Sequence, residues 1–117
     1  MATVLVVDDD QSLSRLYSDK LQKEGFTVFV ANDGVEGLEH ALSEHPDLIL
    51  LDILMPKMDG ISMLKELRTD SWGKSVSVII FSNLKEIENI DEVRAMVQEY
   101  VVKVDIRLND LVTLVKR

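Results

Sequence analysis

The sequence predicts a single α/β domain in which a parallel sheet is covered by helices on both faces. Three observations carry this reading. Leu48 to Leu51 are apolar at every position, which fits a strand buried on both sides rather than a half-exposed one, whose residues would alternate. Short β-branched or apolar runs alternate along the chain with segments whose apolar residues recur at helical spacing. The runs also end abruptly in polar residues, Asp8 after the first, Asp52 after the third, Ser82 after the fourth and Lys103 after the fifth.

Thr3 to Val7 is the first strand, closed by Asp8, Asp9 and Asp10. Leu13, Leu16, Tyr17 and Leu21 place a helix over Ser12 to Glu24, and Gly25 stops it. Phe26 to Ala31 is a second strand. The Asn32-Asp33-Gly34 turn leads to a helix carrying Val35, Leu38, Ala41 and Leu42, which must end before Pro46. After the central strand, Pro56 and the Asp59-Gly60 pair make a loop, and Asp59 is the expected N-cap of a third helix with Ile61, Leu64 and Leu67 inward. A loop over Ser71 to Ser75 precedes the fourth strand, Val76 to Phe81, with Ser82 and Asn83 just past its end. Ile87, Ile90, Val93 and Val97 indicate a fourth helix with an acidic outer face. Tyr100 to Val102 is the fifth strand, and Leu108, Leu111, Val112 and Val115 mark a final helix whose basic Lys116-Arg117 end suits its dipole. The crossovers between parallel strands should be right-handed.

Composition narrows the class of function. The 117 residues suit one domain, expected to fold alone over positions 1 to 117, and 46% hydrophobic with 29% charged residues is a soluble globular balance. The longest apolar stretch, Leu48 to Met55, is broken by Asp52 and too short to cross a bilayer, and no signal peptide pattern opens the chain. No cysteine is present, which excludes disulfides and thiolate metal sites and suits a reducing cytoplasm. A formal net charge of -8 repels phosphate backbones and disfavours direct nucleic-acid binding.

Taken singly, each polar strand end has an ordinary explanation. Asp52 can close a strand, Asp8 to Asp10 can cap the first helix, Ser82 can belong to a turn, and Lys103 can be a solvated charge. In a parallel sheet, however, all of them fall on the carboxyl edge, where open α/β sheets bind ligands. Carboxylates packed together there repel one another and need a cation. An all-oxygen ligand set without cysteine or clustered histidine favours a hard ion such as Mg2+, which meets phosphate oxygens directly. A carboxylate can then attack phosphorus to form an aspartyl phosphate, with the ion, Lys103 and the Ser82 hydroxyl each neutralising or donating to the phosphoryl oxygens.

At this point the chain resembles the receiver domain of bacterial two-component response regulators along nearly its whole length. Val-Val-Asp-Asp at 6 to 9 resembles the family's acidic pair, and Leu-Leu-Asp-Ile-Leu-Met-Pro at 50 to 56 with Asp59-Gly60 resembles its phosphoacceptor loop. Lys103 fits the family's lysine and Ser82 its hydroxyl residue. The resemblance implies a doubly wound (βα)5 domain of strand order 2-1-3-4-5. It implies that Asp52 takes a phosphoryl group from a sensor histidine kinase or a histidine phosphotransfer protein. Mg2+ would be held by Asp9, Asp52 and the backbone carbonyl of Leu54, with Asp8 acting through water. Tyr100 matches the switch aromatic: on phosphorylation Ser82 moves to the phosphoryl group and Tyr100 rotates inward, altering the face of the fourth helix, fifth strand and fifth helix. The output expected of a stand-alone receiver is a downstream effector protein or a phosphorelay, and homodimer pairing through that same face is a family-level expectation.

The chain also departs from the family pattern. Val104 follows Lys103 where proline is usual, Asn83 stands where a small residue is usual, and Met96-Val97 replaces a common Gly-Ala. Two residues after Asp52 and after Ser82 stand Leu54 and Leu84, neither able to orient an attacking water, which implies slow loss of the phosphoryl group. Two other readings compete. A degenerate receiver would bind partners without phosphorylation. A hydrolase of the haloacid-dehalogenase kind would turn over an aspartyl phosphate, but it wants a second Asp where Leu54 stands. His40 and His45, near the end of the second helix, read as surface residues rather than phosphate carriers.

Overall fold

A computed structural model describes residues 2–53, 58–82, 95–97, 99–102 and 108–116, with the backbone alone described at positions 82, 99–102, 108, 109 and 114. Five strands, β1 (Thr3–Val7), β2 (Thr27–Ala31), β3 (Leu48–Leu51), β4 (Ser77–Ser82) and β5 (Glu99–Val102), form one parallel sheet of order β2-β1-β3-β4-β5. This is the doubly wound order expected. The helices whose bounds fall among the described residues are α1 (Gln11–Lys23), α2 (Gly34–Glu44), α3 (Gly60–Thr69) and α4 (Leu108–Lys116). The helix expected around Ile87 to Val97 lies outside the described residues except at 95–97. No helix among the described residues is long and apolar enough to cross a membrane.

Alternation along the strands divides the core in two. Leu5, Val7, Ile49, Leu51, Val78 and Ile80 face one side and pack with Ala41 of α2 and Met63, Leu64 and Leu67 of α3. Val4, Val6, Leu50, Ile79 and Phe81 face the other, against Tyr17 and Leu21 of α1 and Leu111 and Val112 of α4. Because β3 is sandwiched between both clusters, none of its positions is polar. That is the physical reason for the unbroken apolar run.

The helices start as their capping residues dictate. Asp10, Asp33 and Asp59 each precede a helix, and their carboxylates accept from the N–H of Leu13 at 3.1 Å, Glu36 at 2.8 Å and Ser62 at 2.8 Å. Such a cap contributes about 1 kcal/mol. α1 ends with Gly25 at φ +98°, where the Gly25 N–H donates to the Gln22 carbonyl at 3.0 Å and the Phe26 N–H to the Leu21 carbonyl at 3.1 Å. Phe26 is used in closing this helix end and packs against the Leu21 cluster, so β2 begins at Thr27, one residue later than expected. β4 is displaced in the same sense. It runs to Ser82, whose partner is Val102, so Ser82 is the last residue of the strand rather than the first beyond it.

Two contacts at the opposite end of the sheet from the carboxyl edge were not legible in any local pattern. His45 caps α2 in the left-handed region at φ 47° and stacks on Trp72, the ring centroids 4.3 Å apart and the planes 10° from parallel. His45 is exposed, as expected, and its ring packs on the turn after α3. Arg68, near the end of α3, donates from Nη1 to the carbonyls of Gly73 and Val76, both at 2.7 Å, and from Nε and Nη2 to the Met96 carbonyl at 3.1 and 2.6 Å. One guanidinium thereby joins the helix, the turn after it and the segment leading into β5.

Candidate functional site

The register aligns the carboxyl ends of the central strands. Val7 of β1 pairs with Ala31 of β2 and with Leu51 of β3, and Leu51 pairs with Ile80 of β4. The ladder runs one residue further. The Asp8 N–H donates to the Ala31 carbonyl at 3.0 Å and the Asp52 N–H to the Val7 carbonyl at 2.9 Å, so both acids are held by sheet backbone. Their side chains emerge at one place. Carboxylate oxygens of Asp8, Asp9 and Asp52 lie within 4.8 Å of one another. Asp8 is 2% and Asp52 8% exposed, whereas Asp9 faces solvent.

Orientation comes from backbone donors. The Ile53 N–H donates to Asp52 Oδ1 at 2.8 Å, and the Asp10 N–H to Asp8 Oδ1 at 2.9 Å. The loop beyond Asp52 is tied at both ends. The Gly60 N–H at the start of α3 donates to the Ile53 carbonyl at 2.9 Å, and the Gly34 N–H at the start of α2 donates to the Met58 carbonyl at 3.1 Å. Gly60 has to be glycine for steric reasons: a Cβ there would lie 2.1 Å from the Asp52 carbonyl oxygen and 2.9 Å from the Ile53 Cα. α1, α2 and α3 all begin at this edge, and their positive dipole ends offset the concentration of carboxylates.

The remaining expected site residues divide by position. Ser82 ends β4 on the same edge, opposite Val102, and Tyr100 pairs with Ile80 within the sheet. Lys103 directly follows Val102 in the chain but lies, like Leu54, outside the described residues, as do Asn83, Leu84 and Val104. His40 sits on α2 with its Nε2 3.8 Å from Glu36 Oε1 and has no part in the carboxylate cluster.

One residue near the site was read from the sequence only as a core position. Tyr17 of α1 is buried and sits close enough to the acids for their charge to reach it: burial chiefly, then the charges of Asp8, Asp10 and Asp52, push its phenol up to about 12. The signal available in the sequence was a hydroxyl-bearing aromatic on the apolar face of the helix that follows the acidic pair.

The family model of the response regulator receiver domain matches residues 4–116. The chain belongs to that family. The RpaA protein of Synechocystis, named as a DNA-binding dual master transcriptional regulator, is 36% identical over 89 residues, which are 76% of this chain and 37% of RpaA. The chemotaxis protein CheY4 of Vibrio cholerae superposes with a TM-score of 0.90 at 31% identity, covering 100% of this chain and 98% of that one. The response regulator TrrA of Thermotoga maritima, solved in complex with Mg(2+)-BeF, gives a TM-score of 0.87 at 32% identity, covering 99% and 97%. Among curated relatives this receiver domain spans only part of the protein, 27% of one and 41% of another. It is a signalling domain of two-component response regulators, a family that typically binds Mg2+, and its Asp8, Asp9 and Asp52 cluster could hold a metal ion.

Proposed function

We propose that this receiver domain takes a phosphoryl group onto Asp52 from a phosphohistidine of a sensor histidine kinase or a histidine phosphotransfer protein, and that it does so in the cytoplasm. The observation that carries the reading is the buried Asp52 carboxylate beside Asp8 and Asp9 at the carboxyl edge of the sheet. An Asp52 oxygen forms the new bond to phosphorus as the P–N bond to the donor histidine breaks, and the imidazole leaves carrying a proton. Asp52 is aligned for this by the Ile53 N–H.

The donor set fits Mg2+: three carboxylates converge, two of them buried, with no cysteine in the chain. Asp8, Asp9, Asp52 and the Leu54 carbonyl are the residues that would hold it. The ion, when bound, supplies charge neutralisation at the carboxylates and the phosphoryl oxygens. Lys103 adds a second positive charge at those oxygens and the Ser82 hydroxyl donates a hydrogen bond to one of them. The Thermotoga maritima relative was solved in complex with Mg(2+)-BeF, which supports Mg2+ as a ligand of a domain of this kind. Phosphorylation then draws Ser82 toward the phosphoryl group and Tyr100 inward, and the altered face of β5, α4 and the segment before β5 is offered to an effector protein or a second copy.

The test is intact mass after incubation with Mg2+ and acetyl phosphate. The wild type should gain one phosphoryl group, Asp52→Asn none, and chelation of Mg2+ should abolish the gain. An equal adduct on Asp52→Asn would move the acceptor elsewhere. No adduct together with no Mg2+ binding would identify a phosphorylation-independent interaction module instead.

A second expectation concerns lifetime. Leu54 and Leu84 provide no group to orient or activate water. Since a positioned acid or base contributes about 10^2- to 10^4-fold, a Leu54→Asn, Leu84→Glu variant should lose its phosphoryl group about tenfold faster than the wild type. Equal or slower loss in that variant would show that these positions do not control access of water.

A further inference from the structure

We infer that Tyr17 is a positioning residue for phosphoryl transfer: its ring, packed edge-on against Phe81, fixes the end of β4 that carries Ser82 and ties that end to α1. The ring centroids are 5.2 Å apart with planes at 73°. Tyr17 is 8% and Phe81 3% exposed, so the contact lies inside the core. Phe81 pairs with Val101 and Ser82 with Val102, so both residues belong to the paired end of this strand. Movement of Phe81 would therefore shift Ser82, one of the groups proposed to meet the phosphoryl oxygens.

The ring rather than the hydroxyl carries the role. The phenol is held above its usual value by burial first and by the nearby acids second, and no hydrogen bond from it is needed for the contact with Phe81. An edge-to-face pair needs a second aromatic plane, which phenylalanine supplies and leucine does not.

This inference rests on the phosphoacceptor reading above, and the experiment separates the two. Initial rates of phosphorylation by acetyl phosphate with Mg2+ would be measured for the wild type, Tyr17→Leu, Tyr17→Phe, Ser82→Ala and the Tyr17→Leu, Ser82→Ala double variant. From the strength of aromatic pairs, Tyr17→Leu should be about threefold to tenfold slower, while Tyr17→Phe should stay within about twofold of the wild type. In the Ser82→Ala background, Tyr17→Leu should slow the reaction no further, because the group it positions is already gone. An unchanged rate in Tyr17→Leu, or the same slowing in both backgrounds, would overturn the inference and leave Tyr17 an ordinary core residue. Should Tyr17→Leu be unfolded at the assay temperature, Phe81→Leu breaks the same contact from the other side and is judged by the same criteria. A wild type that takes up no phosphoryl group would overturn the phosphoacceptor reading itself, and this inference with it.

Discussion

Gly60→Ala is expected to destabilise the fold by about 3 kcal/mol and to stop phosphoryl uptake at Asp52, although it adds only one methyl group. The added Cβ would stand 2.1 Å from the Asp52 carbonyl oxygen and 2.9 Å from the Ile53 Cα. Both obstacles are backbone, so no side-chain rotation relieves the overlap. Either α3 backs away, breaking the 2.9 Å bond from the Gly60 N–H to the Ile53 carbonyl, or the chain at Asp52 and Ile53 moves. The second route turns the Ile53 N–H away from Asp52 Oδ1 and misaligns the carboxylate. The gain in helix propensity from glycine to alanine is about 1 kcal/mol and does not offset this. Urea unfolding and the mass assay together check the expectation. Gly25→Ala is the control: nothing lies within 4 Å of its Cβ position, but φ is +98°, so it should cost about 1 to 2 kcal/mol through backbone strain and leave phosphorylation unchanged. A Gly60→Ala protein with a wild-type midpoint and a full adduct would show that the start of α3 yields freely.

Arg68→Met should lower stability by about 2 to 4 kcal/mol, although Arg68 lies at the far end of α3 from the site. The guanidinium donates four hydrogen bonds to three carbonyl oxygens, those of Gly73, Val76 and Met96. A bond with a charged partner contributes about 1.5 to 3 kcal/mol in favourable cases, but these four share one group that is only partly buried, so the total is well below their sum. Burial lowers the guanidinium pKa from its usual value. Methionine keeps the aliphatic length and removes every donor, leaving those carbonyls without Arg68 as a partner. At about 4 °C per kcal/mol, the melting temperature should fall by about 8 to 16 °C. Arg68→Lys, with a single ammonium in place of the planar fork, should fall between. A melting temperature within about 2 °C of the wild type would show that water replaces the guanidinium at little net cost.

Most of the fold was legible because its signals are local. The unbroken apolar run at Leu48 to Leu51 announces a strand covered on both faces, and the period of Leu13, Tyr17 and Leu21 announces a helix, whatever the rest of the chain does. Asp10 and Asp59 cap helices through bonds spanning three residues, so the caps too could be read along the chain. Where the reading slipped, the deciding partner was elsewhere. Phe26 left β2 because its N–H closes the end of α1, and Ser82 joined β4 because Val102 lies opposite it.

The candidate site divides the same way. The sequence by itself determined that acidic residues end the first and third strands, and that a parallel sheet would place them on one edge. Only the tertiary structure decided that oxygens of Asp8, Asp9 and Asp52 come within 4.8 Å, because that spacing depends on the register of β1 against β3. The approach of Gly60 to the Asp52 carbonyl, the reach of Arg68 to Met96 28 residues away, the stack of His45 on Trp72 and the edge-on packing of Tyr17 against Phe81 are of the same kind. The Gly60 contact spans a single loop and the others join residues far apart in the chain, and local preferences do not report any of them. Such contacts exist only once the sheet has set the helices in place.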